Sequence, residues 1–141
     1  MTDASPPYPI GTAMLIDDEV IDQKMYRRII KRSGLVGKTL SFRGADHAFD
    51  YLRNHPDEQI DLILLDINMP RMSGFEFLER ATHDLGPNFA KVCIVMLTTS
   101  LDPSDREYAE SFDVVRDFLN KPLTIEHLQR IAAMITAEED S

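Results

Sequence analysis

Apolar positions along this chain follow two rhythms. Leu62, Ile63, Leu64 and Leu65 are consecutive, which fits a strand covered on both faces, the condition of a central strand in a parallel sheet. Residues 92–97 form a second unbroken run, and residues 12–16, 38–42 and 114–119 supply three more stretches of strand length. Between these stretches the spacing becomes helical. Ile21, Met25 and Ile29 lie on one stripe of residues 19–31, and Ala45, Ala48, Phe49 and Leu52 on one stripe of residues 45–54. Ser73 and Glu76 have capping-box spacing and open a third helix whose inner face is expected to use Phe75, Leu78 and Ala81. Asp102 followed by Pro103 starts a fourth, and Thr124 caps a last helix over residues 125–136. Gly34, Pro56 and Gly86 with Pro87 close the first three.

Strand and helix thus alternate five times, which specifies an α/β domain with a parallel sheet and right-handed crossovers. A length of 141 residues matches one such domain. Its expected bounds are 12–136, with a disordered, proline-rich arm over residues 1–11 and a frayed tail over 137–141. The arm has neither a basic start nor an apolar centre, so it is not read as a signal peptide, and no apolar run is long enough to span a bilayer. A cytoplasmic location is expected. The lone Cys93 agrees with a reducing compartment and is read as a small core residue. A net charge of -9 argues against a nucleic-acid partner, since binding a polyanion relies on Lys and Arg. Lys24, Arg27, Arg28, Lys31 and Arg32 cluster nonetheless, and are read as a solvated helix face. Residues 34–39, GLVGKT, imitate a phosphate-binding loop, but position 32 is Arg and the segment leads into a strand instead of a helix.

Chemistry concentrates where strands end. Asp17 and Asp18 follow the first, Asp66 the third, Thr98 the fourth and Lys121 the fifth. Alone, Asp66 would serve as a turn cap. Adjacent parallel strands, however, bring these tips together, and ligand chemistry in such sheets sits at the carboxyl edge. Three carboxylates in one place raise each other's pKa unless a divalent cation holds them, and hard oxygen ligands suit Mg²⁺. Lys121 adds a positive charge and Thr98 a hydroxyl donor, both suited to the oxygens of a phosphoryl group in transfer. By position Asp66 is the nucleophile, and its product would be an aspartyl phosphate. His47, His55, His83 and His127 have no metal-ligand spacing and are read as surface residues.

Taken together, Asp17 with Asp18, the LLDINMPRMSG stretch around Asp66, Thr98 in VMLTTS and Lys121 with Pro122 in DFLNKPL resemble the response-regulator receiver domains of two-component signalling. The resemblance implies a flavodoxin-like (βα)5 fold, doubly wound with strand order 2-1-3-4-5. It also implies Mg²⁺ held by Asp18, Asp66 and the backbone carbonyl of Asn68, with Asp17 acting through water, and a cis peptide before Pro122. The phosphodonor would be a sensor histidine kinase or a histidine phosphotransfer protein. Thr98 and Phe118 would form the switch pair. Output would leave through the face built from the fourth helix, the fifth strand and the fifth helix, toward a protein target or a second copy. With only a short tail after the last helix, a stand-alone, CheY-like receiver that turns over only its own phosphoryl group is expected. The rival reading is a haloacid-dehalogenase-like phosphatase or phosphotransferase. Those enzymes use a second acid two residues after the nucleophile, and here that position is Asn68.

Overall fold

The middle of the sheet is the four-residue strand β3 (Leu62–Leu65), whose residues are all buried. In the computed structural model, which describes residues 8–139, it is flanked by β1 (Ile10–Ile16), β2 (Val36–Phe42), β4 (Cys93–Thr98) and β5 (Val115–Asn120), all parallel, in the order β2-β1-β3-β4-β5. The connections are α1 (Val20–Ser33), α2 (Ala45–Asn54), α3 (Gly74–Asp84) with a 3-10 segment (Gly86–Lys91), and α4 (Pro103–Glu110); α5 (Ile125–Glu139) closes the fold. This is the expected flavodoxin-like order.

Side chains alternate across the strands, so the sheet divides its burial between two cores. Ile63 and Leu65 point to the layer of α2, α3 and α4, joining Phe49, Phe77, Leu78 and Ala109. Leu62 and Leu64 point to the layer of α1 and α5, joining Tyr26, Ile30, Leu128 and Ile131. Cys93 lies in this second core, and burial pushes its thiol up to about 12, which keeps it an inert packing group.

Local signals place most boundaries. Gly34 adopts φ 69° and ends α1 in the left-handed conformation that glycine favours. Ser73 and Glu76 form the reciprocal capping box at α3, and Asp102 caps α4 through the Ser104 N–H at 3.0 Å. Thr124 accepts the His127 N–H and donates its own N–H to His127 Nδ1, so the half-buried His127 completes a cap and is not simply a surface residue. The GLVGKT segment enters the strand β2, as a phosphate-binding loop would not. Among the described residues no helix is long and apolar enough to cross a membrane.

Four further expectations are corrected. β1 begins at Ile10, which is fully buried, so residues expected in the arm belong to the sheet; residues 1–7 lie outside the described part. α5 runs on to Glu139 where a frayed tail was expected, helped by an ion pair between Arg116 of β5 and Glu138; residues 140 and 141 lie outside the described part. The largest difference concerns α1. Its inward residues are Gln23, Tyr26 and Ile30, while Ile21 is 78% exposed and Met25 38%. Two polar-tipped side chains win the inner face because each finds partners there: Gln23 Nε2 donates to the carbonyls of Asp17 and Phe42, both at 2.9 Å, and the Tyr26 ring fills the second core. In α3 the fully buried aromatic is Phe77, whereas Phe75 is half-buried and meets Tyr108 edge-on at 4.9 Å.

Gly74 starts α3 directly against the β3 tip. Its N–H donates to the Ile67 carbonyl at 2.8 Å, and a Cβ there would fall 2.3 Å from the Asp66 carbonyl oxygen. Backbone stands on the other side of that contact, so relief requires moving either the helix or Asp66. Gly74→Ala is therefore expected to destabilise the fold by about 2 kcal/mol or more, measured by urea unfolding. An unchanged midpoint would show that the helix start can shift freely.

Candidate functional site

Register, more than side-chain packing, assembles the carboxyl edge. Ile16 pairs with Leu65, and the Asp66 N–H donates to the Ile16 carbonyl at 3.0 Å, which sets Asp17 beside Asp66. Thr98 pairs with Asn120, and the Lys121 N–H donates to the Thr98 carbonyl at 2.8 Å. Asp17, Asp18 and Asp66 each contribute a carboxylate oxygen to a group within 4.8 Å of one another. Asp17 is 1% exposed and Asp66 8%.

The hydrogen bonds of the two buried carboxylates divide neatly by oxygen. Oδ1 of Asp17 accepts the Glu19 N–H at 2.9 Å and Oδ1 of Asp66 the Ile67 N–H at 2.8 Å. Both Oδ2 atoms face Lys121 Nζ, at 2.8 Å from Asp17 and 3.4 Å from Asp66. The ammonium also donates to Asp22 Oδ2 at 2.9 Å. Burial pushes the Asp66 carboxyl up to about 6, with Lys121 acting against that shift and Asp17 adding to it. Burial raises Asp17 as well, although its bonds to Lys121 and Glu19 oppose it. At Lys121 burial works against the charge, yet the bonds to Asp17 and Asp22 outweigh it and hold the group above the ordinary lysine range.

Thr98 is buried and its Oγ1 accepts the Ser100 N–H at 3.0 Å. Phe118 pairs with Met96, so by alternation Thr98 and Phe118 lie on the same face of adjacent strands, two register positions apart. Phe118 is buried, with the Arg106 guanidinium of α4 5.7 Å from its ring centre. Asn68 is exposed two residues past Asp66. The peptide between Lys121 and Pro122 is cis, as the resemblance implied.

The edge thus brings together Asp17, Asp18, Asp66 and Lys121, with Thr98 on the neighbouring strand tip. Sequence reasoning passed over Asp22 and Gln23. The available signal was helical: Asp22 and Tyr26 stand one turn apart, on the face of α1 turned toward the strand tips. Gln23 is buried, and among the described residues its Oε1 is without a hydrogen-bond partner.

A doubly wound parallel sheet with an acidic cluster and a buried lysine at its carboxyl edge defines a class of α/β domains with an acid-lined strand edge. The model of the response regulator receiver domain family matches residues 13–133, and the chain belongs to that family. The response regulator GtcR of Aneurinibacillus migulanus is 26% identical over 125 residues, covering 88% of this chain and 47% of that protein. Among solved structures, a two-component response regulator from Cytophaga hutchinsonii superposes with a TM-score of 0.85 at 28% identity, covering 91% of this chain and 98% of that one. A response regulator receiver protein from Dyadobacter fermentans gives 0.77 at 30% identity, covering 89% and 97%. The chain spans about half the length of the curated response regulators it matches, such as GtcR and the heme response regulator HssR of Staphylococcus saprophyticus.

The raised Asp66 pKa has a consequence for stability. The folded protein binds the Asp66 proton up to about pH 6, whereas the unfolded chain releases it near 3.8. The folded value is the higher, so this group's contribution to stability declines as pH rises from about 4 to about 6. In chelator, Asp66→Asn is expected to stabilise the protein at about pH 8 by up to about 3 kcal/mol, and to make no difference below about pH 4. Urea unfolding at both pH values measures this, and equal stability at the higher pH would show that Asp66 is not strained by its surroundings.

Proposed function

We propose that this domain accepts a phosphoryl group on Asp66 from the phosphohistidine of a histidine kinase or a phosphotransfer protein, and signals through an altered protein-binding surface. The observation that carries the reading is the placement of Asp66 at the end of the buried central strand, in a cluster with Asp17 and Asp18 and within reach of the Lys121 ammonium. In the transfer, a carboxylate oxygen of Asp66 forms the new bond to phosphorus as the bond from phosphorus to the donor imidazole nitrogen breaks. The imidazole departs with that electron pair and takes up a proton. Lys121 offers its charge, and Thr98 its hydroxyl, to the phosphoryl oxygens.

The residues fit a divalent cation: two of the three carboxylates in the cluster have pKa values raised by burial, and all three supply hard oxygens. Mg²⁺ would be held by Asp18, Asp66 and the Asn68 carbonyl, with Asp17 bonding through water. When bound it neutralises charge that builds up on the phosphoryl group. A haloacid-dehalogenase-like enzyme is disfavoured by the family match and by Asn68, which offers no acid for turnover of an external phosphoester.

Two surfaces support protein partners. Val20, Ile21 and Met25 of α1 and Leu101 after β4 are exposed apolar side chains following the strand tips that carry Asp17 and Thr98, an arrangement suited to docking a donor protein over Asp66. For output, α4 buries only Ala109 against the sheet, so this helix is weakly anchored, and Arg106 on it covers Phe118. A phosphoryl group that draws the Thr98 hydroxyl would bias Phe118 and α4 together, and the face of α4, β5 and α5 would carry the change.

Incubation with Mg²⁺ and acetyl phosphate or phosphoramidate is expected to add one phosphate in acid-stable, base-labile linkage, and Asp66→Asn to abolish the addition. Labelling of that variant to the parent extent would remove the reading. Phe118→Ala is expected to leave uptake nearly intact while uncoupling it from amide exchange over residues 103–119, compared with and without beryllofluoride. Exchange changes confined to the strand tips in the parent protein would place the output elsewhere.

A further inference from the structure

Lys121 has one carboxylate more than the phosphoacceptor site requires. Its ammonium is shared by Asp17, Asp66 and Asp22, but the group of carboxylate oxygens close enough to share an ion consists of Asp17, Asp18 and Asp66. Asp22 therefore serves Lys121 and not the cation cluster. It stands in the first turn of α1, one turn before Tyr26, which is buried in the same core as Leu123. α1 thus meets the segment on either side of Pro122, Asp22 holding the Lys121 ammonium and Tyr26 sharing a core with Leu123.

Competition for particular atoms follows from the oxygen pattern. Each Oδ1 of Asp17 and Asp66 is fixed by one backbone N–H and each Oδ2 faces Lys121, so a cation that draws on an Oδ2 atom contends with the ammonium for it. An ammonium that yields them must be paired elsewhere, because its side chain is only 10% exposed and a half-buried unpaired charge is costly. Asp22 Oδ2, at 2.9 Å and with its side chain 25% exposed, is already in place.

We propose that Asp22 is a positioning residue that keeps the Lys121 ammonium paired while a divalent cation draws the Oδ2 atoms away from it, directly at Asp66 and through a bound water at Asp17. It rests on the reading of the acidic cluster as the cation and phosphoryl site. Without Asp22, Lys121 has partners only inside that cluster and holds them against the cation. The role is one of exchange: Asp22 makes the lysine displaceable without making it free.

The test is Mg²⁺ titration by calorimetry on the whole chain, with Asp22→Asn, Asp22→Glu, Lys121→Met and the double variant Asp22→Asn with Lys121→Met, each checked for folding by circular dichroism. Asp22→Asn is expected to weaken Mg²⁺ binding roughly fivefold to tenfold, and Asp22→Glu to restore most of that loss. In the Lys121→Met background, Asp22→Asn is expected to change affinity less than about twofold, because groups that act through one another are not additive. Unchanged affinity of Asp22→Asn overturns the proposal. So does an equal loss with and without Lys121, which would mark Asp22 as a distant charge acting on the ion alone. A parent protein that binds no Mg²⁺ overturns the functional reading itself, an outcome distinct from both.

Discussion

At the carboxyl edge of the sheet, the ammonium of Lys121 lies between carboxylates delivered by three segments of the chain: Asp17 after β1, Asp22 in α1 and Asp66 after β3. Asp17 and Asp66 are nearly inaccessible to water, and their mutual repulsion inside the fold would be severe without it. The charge balance remains incomplete, since Asp66 is still pushed up to about 6. Such residual strain is a usual mark of a site arranged for a task beyond stability. A site with surplus negative charge has affinity in reserve for a cation, and a buried carboxylate with one oxygen fixed by a backbone N–H has little freedom to misalign.

The two layers of helices treat this edge differently. α1 and α5 pack on the second core, with Tyr26 and Ile30 meeting Leu128, Ile131 and Ile135, and α1 reaches the lysine through Asp22. That side is a rigid support. On the other side α4 offers a single buried alanine, and its further contacts are at its surface: Tyr108 meets Phe75 at 4.9 Å and Phe112 at 5.3 Å and donates to Glu79, and Asp105 accepts from Ser100. A helix held this lightly can shift at small cost, and it is the helix whose Arg106 covers Phe118. Dense packing beside Lys121 and lighter packing beside Phe118 thus distinguish the two sides of the sheet at this edge.

Surface charge adds a further element. Lys24, Arg27, Arg28, Lys31 and Arg32 are all exposed on α1 of a chain with net charge -9, and they border the exposed Ile21 and Met25. For the proposed docking of a donor protein, an apolar patch beside basic residues would be more selective than either feature alone, since burial provides affinity and charge sets orientation.

Pattern in the chain was enough to determine the alternation of five strands and five helices, the caps at Ser73, Asp102 and Thr124, and the identity of the residues at the strand tips. Each of these follows from local physics: an unbroken apolar run must be covered on both faces, and a capping side chain satisfies backbone groups within three residues of itself. The acids, Thr98 and Lys121 were legible because a parallel sheet brings all its strand ends to one edge whatever the details of packing. The inner face of α1 was not. Spacing favoured Ile21, Met25 and Ile29, but the helix turned Gln23 and Tyr26 inward because the carbonyls of Asp17 and Phe42 and the core that holds Leu123 and Leu128 receive them, and Phe42 and that core come from later segments of the chain. Asp22 was hidden for the same reason. Its part depends on a lysine 99 positions away, and only the closed sheet brings the two within hydrogen-bonding distance.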